Sequence, residues 1–179
     1  MNKYKKQRAQ IVAKEMVEKL KEKGYETYYA EDVEEARKIA LELIPEGATV
    51  GVGGSETLTA MNLIEELRNG PYKFIDRYQK LPFNEIEDLY REALTADVFV
   101  SSVNAITRDG RIVNVDSSGN RVSAISFGPR KVVLAIGTNK VVNNLDEAMD
   151  RIYEIADVFG SRTGTEHYTH FSPGGGGNG

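Results

Sequence analysis

A glycine-rich segment, Gly51-Val-Gly-Gly-Ser-Glu-Thr57, contains the residue types that bind small anions. Glycines let the backbone turn tightly and let a ligand approach its N–H groups. Ser55 and Thr57 can donate hydroxyl hydrogen bonds, and a helix that follows the loop would add the partial positive charge of its N-terminus. The segment predicts a site for a phosphate, a carboxylate or a pyrophosphate. It lacks the Walker and GxGxxG patterns, and a tight turn with Ser55 as a plain helix cap is the alternative.

Two further segments supply cations and an acid–base group. Arg121 can form a bidentate contact with a carboxylate or phosphate, and Asp116 can act as a general base or orient Arg121. Asn120 adds an amide beside them, and Asn139-Lys140 offers a second amide and a second cation. The structural alternatives are an Asp116–Arg121 pair that closes a glycine loop, and a solvated lysine at position 140.

Small donors also occupy the segment Ser101–Thr107, directly after an apolar run. Asn104 has both a donor and an acceptor there and is a ligand-binding candidate. The alternative is that Asn104 and Thr107 organise the turn before Asp109-Gly110.

Helices and strands alternate around these groups. Apolar residues at helical spacing predict helices over residues 3–23, 33–43, 56–67, 85–95 and 145–159. Short β-branched or apolar runs predict strands over residues 26–30, 48–52, 72–76, 97–103, 111–115 and 131–136. Residues 122–127 are compatible with either structure.

This order predicts an α/β protein, a single three-layer domain over residues 1–160 with a mostly parallel sheet flanked by helices. The Asp109-Gly110 turn predicts a hairpin between the 97–103 and 111–115 runs, which makes the sheet mixed. Ligands bind beyond the carboxyl ends of the strands in such folds, so the polar clusters after three of the strands are expected to form one site. Residues 161–179 are predicted to form a loop-like tail, disordered from 174.

Composition excludes several classes of protein. The chain has 179 residues and a net charge of −4, which gives no general attraction to nucleic acid or to an anionic membrane. No apolar run is long enough to cross a bilayer and no signal peptide is visible, so we expect a cytoplasmic protein. Cysteine is absent, which excludes disulfides and cysteine-held clusters within this chain. The two histidines, His167 and His170, are expected to form an exposed pair, and we predict no metal site.

Taken together, the motifs resemble those of the lactate-utilisation (LUD) family, with nearly continuous coverage from about Tyr25 to Ala156. The segments that carry this resemblance are Gly51-Val-Gly-Gly-Ser, Phe74-Ile-Asp-Arg77, Thr95–Gly110, Val113-Asn-Val-Asp116, Gly119-Asn-Arg-Val122, Phe127-Gly-Pro-Arg-Lys131 and Gly137-Thr-Asn-Lys140.

The resemblance implies a fold related to ribose-5-phosphate isomerases and CoA transferases. It also implies a role in bacterial oxidation of L-lactate to pyruvate, as one subunit of a complex whose partner subunits carry iron–sulfur clusters. It implies a small anionic substrate. The resemblance and the local residue types select the same candidates for the site, which are Gly53, Gly54, Ser55, Thr57, Asn104, Asp116, Asn120, Arg121, Asn139 and Lys140.

Two features depart from the family pattern. Many short members carry a cysteine-rich segment after the last helix, whereas Ser161–Pro173 contains no cysteine. Glu56 also stands where an apolar residue is expected, and its charge opposes a bound anion. Two other functions fit the same residues, an isomerase or transferase acting on a sugar phosphate or acyl-CoA, and a non-catalytic anion-binding or assembly module.

Overall fold

The structure, a computed structural model, describes residues 3–163 and 170–173. The chain divides into two compact units, each with its own sheet. The sheet A unit consists of Asp32–Ser102 and Ser118–Ala135. The sheet B unit consists of Met1–Glu31, Val103–Ser117 and Ile136–Gly179.

The described helices are α1 (Lys3–Glu22), α2 (Val33–Glu42), α3 (Glu56–Ala60), α4 (Leu63–Asn69), α5 (Phe83–Ala93), α6 (Asn120–Phe127) and α7 (Leu145–Thr163). The described strands are β1 (Thr49–Val52), β2 (Lys73–Phe74), β3 (Val98–Ser101), β4 (Ala105–Thr107), β5 (Ile112–Asp116), β6 (Lys131–Leu134), β7 (Val141–Val142) and β8 (His170–Pro173). A 3₁₀ turn spans Thr138–Lys140. In this part of the chain, every helix is too short or too polar to span a bilayer.

Sheet A is parallel throughout, in the order β2-β1-β3-β6. Neighbouring residues of β3 face opposite sides of the sheet, because side chains alternate along a strand. Val98 and Val100 pack with residues of α2, α3 and α4, whereas Phe99 packs with α5 and α6. The sheet A unit therefore has three layers, which confirms the predicted α/β class with a parallel sheet between helices.

Sheet B is mixed, in the order β7-β4-β5-β8. Strands β4 and β5 form an antiparallel hairpin across the Asp109-Gly110 turn, where Gly110 has a φ of 82°. Helix α7 covers this hairpin, with Ala148 and Ile152 packed against Ala105 and Val113. The predicted turn is thus confirmed.

The hairpin belongs to a second sheet rather than to the sheet that contains the 97–103 run. The 97–103 run ends its strand at Ser101, and the hairpin partner of β5 is the separate strand β4. A three-residue strand is too short to show an alternating pattern in the sequence. The run at 26–30 is not a strand, and β6, at the edge of sheet A, is half-buried.

Helix boundaries differ in three places. The 56–67 helix is broken into α3 and α4 at Asn62, which adopts a left-handed φ of 52°. Helix α5 begins at Phe83, two residues before the predicted start at residue 85, and its N-cap is Pro82. Helix α7 continues to Thr163, into the predicted tail, and β8 pairs with β5. His167 and the predicted disorder from residue 174 lie outside the described residues.

Gly51 lies where β1 passes under α5. A Cβ added at Gly51 would lie 2.8 Å from the Ala93 Cβ and 3.2 Å from Phe99 Cδ2. We expect Gly51→Ala to lower the free energy of unfolding by about 1–3 kcal/mol, the usual cost of overpacking a core, as measured by urea denaturation. Adding Ala93→Gly restores the space, so the double variant should be more stable than the sum of the two single changes allows. Strict additivity would contradict this contact.

Candidate functional site

The carboxyl ends of three strands of sheet A meet at the glycine loop. The Gly53 amide donates to the Val100 carbonyl at 3.0 Å, which extends the pairing of β1 with β3 by one residue. The Ala135 amide donates to the Ser101 carbonyl at 2.9 Å, and the Ser102 hydroxyl donates to the Ala135 carbonyl at 2.5 Å. The loop is therefore anchored to the sheet by backbone hydrogen bonds at the edge where α/β proteins bind ligands.

Arg121 packs directly on Gly53. A Cβ at Gly53 would overlap the Ser101 hydroxyl and would lie 3.0 Å from Arg121 Cδ and 3.1 Å from Arg121 Cγ. Only a glycine leaves room for the Arg121 stem and the buried Ser101 together. The structure thus brings the predicted glycine and the predicted arginine into contact, although they are 68 positions apart in sequence.

Arg121 occupies the first turn of α6, directly after Asn120 and after Gly119, which has a φ of 76°. A cation is unfavourable there, because the N-terminal turn of a helix carries partial positive charge. No acidic residue lies in this turn. The Ser118 hydroxyl donates to Asn120 Oδ1 at 3.0 Å. The partial positive charge of this helix terminus would favour an anion near the turn.

Ser55 is the N-cap of α3. Its hydroxyl oxygen accepts from the Thr57 amide at 3.2 Å, so the capping alternative describes Ser55 correctly. Helix α3 has only five residues, so its dipole contributes less to a bound anion than the sequence analysis expected. Glu56 is exposed in the first turn.

A second arginine, which the sequence analysis did not select as a site residue, packs on Gly54. Three guanidinium atoms of Arg77 each lie 3.7 Å from the position of a Gly54 Cβ. Equal distances to the central carbon and both terminal nitrogens mean that the guanidinium lies face-on to the loop. Arg77 follows β2, and the rule that ligands bind beyond the carboxyl ends of strands could have identified it.

Neutral aromatic side chains surround Arg77. Its Nη2 donates to the Tyr90 hydroxyl at 2.7 Å, and its Cζ lies 4.4 Å from the Tyr90 ring centroid and 5.9 Å from that of Tyr78. Burial raises the pKa of Tyr78, whereas the charge of Arg77 and a hydrogen bond with the Ser55 backbone act in the opposite direction. Tyr78 therefore connects the segment after β2 with the glycine loop.

The remaining site candidates belong to the sheet B unit. Asn104 Oδ1 accepts from the Val115 amide at 3.0 Å, and the backbone carbonyl of Asn104 accepts from Arg151 Nε at 3.1 Å. Asp116 ends β5 and is half-buried. Asn139 and Lys140 lie in the 3₁₀ turn, the first exposed and the second half-buried. The participation of these four residues in ligand binding remains a prediction.

Asn114 on β5 is a further polar residue that the sequence analysis left out of the site. It is 3% exposed, and among the residues that the structure describes its Oδ1 has no hydrogen-bond partner. A buried amide oxygen without a partner costs stability.

The same described residues place no three His, Cys, Asp or Glu side chains where they could hold a metal ion, and we assign no cofactor to the loop.

Comparison with known proteins places the chain in a family. Residues 13–177 match the LUD domain. The chain belongs to the LUD domain family. This lactate-utilisation family is the one that the sequence motifs resemble.

One solved structure similar to this LUD protein is that of ribose 5 phosphate isomerase A from Neisseria gonorrhoeae. The two chains are 17% identical with a TM-score of 0.41. The alignment covers 62% of the LUD chain and 52% of the isomerase, so it spans about half of that enzyme. No curated protein has a sequence that matches this chain.

The two glycines of the loop should respond differently to substitution. We expect Gly53→Ala to lower the melting temperature and to move Arg121, because no space exists for the new methyl group. Gly54→Ala should fold normally, because its Cβ would have ordinary contacts with Arg77. Thermal unfolding by circular dichroism compares them. Equal melting temperatures for the two variants would contradict the packing of Arg121 on Gly53.

Proposed function

We propose that this LUD protein binds the carboxylate of a small 2-hydroxy acid, such as L-lactate, at the glycine loop through Arg121. The observation that carries this proposal is the seating of Arg121 on Gly53. That contact places the aliphatic part of the Arg121 side chain against the loop, where the carboxyl ends of the strands of sheet A lie. Guanidinium groups bind carboxylates with two parallel hydrogen bonds, which fixes the orientation of the acid as well as its position.

The electrostatic setting supports the same proposal. The protein is acidic overall, with 27 acidic and 23 basic residues. An anionic ligand therefore needs a site with local positive charge. Arg121 lies in a helix turn that lacks acidic residues. A bound carboxylate would be attracted to the guanidinium and to the first-turn amides of α6.

We further propose that the chain acts as one subunit in the oxidation of the 2-hydroxy acid to the 2-oxo acid. This oxidation removes two electrons and two protons from the substrate. The chain has no cysteine with which to hold a redox cluster. In this proposal the two electrons pass to a partner subunit that carries iron–sulfur clusters and the two protons pass to solvent, while the chain contributes substrate binding and orientation.

Replacement of Arg121 tests the binding proposal. Arg121→Lys keeps the charge but loses the bidentate geometry, so L-lactate or pyruvate should bind roughly ten- to a hundred-fold more weakly, as a charge-assisted hydrogen bond is worth about 1.5–3 kcal/mol. Isothermal titration measures the affinity. Arg130→Lys, at an exposed position of the same unit, is the matched control. A lowered melting temperature with unchanged affinity would show that Arg121 is only structural.

The subunit proposal makes a separate prediction. We expect the purified chain to show no stoichiometric visible chromophore and no lactate oxidation with an artificial electron acceptor. Absorbance spectroscopy and a dye-reduction assay measure these properties. Turnover by the chain alone would contradict the need for a redox partner and would leave the binding proposal in place.

A further inference from the structure

Arg77 carries a charge that no carboxylate of the described residues neutralises. Three other arginines of the sheet A unit have acidic partners, Arg37 with Glu66, Arg68 with Asp76 and Arg91 with Glu87. Within residues 3–155, no carboxylate oxygen lies within the 4.0 Å ion-pair distance of Arg77. The guanidinium is half-buried, and burial of a charge without a counter-charge is costly.

The carboxylate next to Arg77 in sequence is held elsewhere. Asp76 accepts from Arg68 Nε at 2.8 Å and from Arg68 Nη2 at 3.3 Å, and it also accepts from the Tyr78 amide at 2.9 Å. This bidentate pair holds Asp76 on Arg68. It also raises the pKa of Arg68. The nearest negative charge along the chain is therefore unavailable to Arg77.

The orientation of Arg77 is fixed by neutral groups. One face of the guanidinium lies over Gly54, and Nη2 is hydrogen-bonded to the Tyr90 hydroxyl. Contact of its faces with aromatic rings leaves the edge of the guanidinium plane for hydrogen bonding, since its N–H groups lie in that plane. Because the Tyr90 hydroxyl accepts from Arg77, its own proton remains to be donated to another acceptor.

We propose that Arg77 and Tyr90 form a second anion subsite on the Gly54 side of the loop, and that it binds a phosphate group. This subsite is additional to the carboxylate site proposed at Arg121, and both depend on the same loop. Arg77 adds a cation that has no ion pair among residues 3–155, and a phosphomonoester at pH 7 carries about −1.5 to −2 charges and three acceptor oxygens. The guanidinium edge and the Tyr90 hydroxyl donate to oxygens of that kind.

Titration of the intact chain with inorganic phosphate and with glycerol 3-phosphate tests the subsite. Arg77→Gln should weaken the binding of both by roughly ten- to a hundred-fold. Arg77→Lys should weaken it by roughly ten-fold, because a lysine retains the charge without the planar edge. Tyr90→Phe should weaken it by a smaller factor. Equal losses for the two probes indicate a site for the phosphate group itself, and a loss confined to the ester indicates a phosphomonoester site.

The control is Arg130→Gln, which removes one positive charge from an exposed position of the same unit and should leave phosphate affinity unchanged within about two-fold. L-Lactate affinity should fall in Arg121→Lys and persist in Arg77→Gln. Unchanged affinity for both probes in both Arg77 variants would overturn the subsite, as would an equal loss in Arg130→Gln or the failure of the wild type to bind either probe. If lactate binding still depends on Arg121 in those cases, the proposed function stands without the subsite. Loss of lactate binding through Arg77 alone would refute the division of the loop into two subsites.

Discussion

The absence of a side chain at Gly53 is the constraint on which the rest of the site depends. Gly53 continues the backbone pairing of β1 with β3, so its Cα is held against the end of the sheet. The space that a Cβ would occupy is filled by the Ser101 hydroxyl and the Arg121 stem. Protein interiors are close-packed and cannot accommodate even one extra methyl group without displacement. The position of Arg121 is therefore determined by the sheet as well as by its own helix.

A similar logic applies on the other side of the loop, with a different outcome. Gly54 is exposed and leaves an ordinary van der Waals distance to Arg77. Arg77 is positioned by its contacts with Tyr90 and Tyr78 rather than by lack of space. Asp76 does not compete for it, because Asp76 is paired with Arg68. Two consecutive glycines thus lie beside two arginines that are positioned differently. Close packing at Gly53 positions Arg121, whereas aromatic contacts position Arg77 beside Gly54.

The order of helices and strands in the sheet A unit could be predicted from the sequence, because apolar periodicity reports burial directly. The glycine loop was recognisable as well, since it stands between a β-branched run and a helical pattern. Arg77 directly follows the predicted strand at 72–76, but the sequence does not show that its guanidinium reaches Gly54 or that Asp76 pairs with Arg68. The division into two sheets was not predicted because the chain changes sheet between Ser101 and Ala105, where small polar residues are equally compatible with a loop before the Asp109-Gly110 turn. The break at Asn62 depends on a backbone angle that any asparagine tolerates but few adopt.

The chain order of the two units has a consequence for synthesis on the ribosome. All four strands of sheet A have been translated once residue 135 has been added, so this unit can assemble while the remainder is still being made. The sheet B unit begins with α1 but requires β7, α7 and β8, which are translated after residue 140. Glu15 of α1 pairs with Arg108, 93 residues downstream, and α1 also contacts the 3₁₀ turn at Thr138–Lys140. Contacts of such long sequence separation form slowly, so we expect the sheet that carries the glycine loop to form before the sheet B unit is complete.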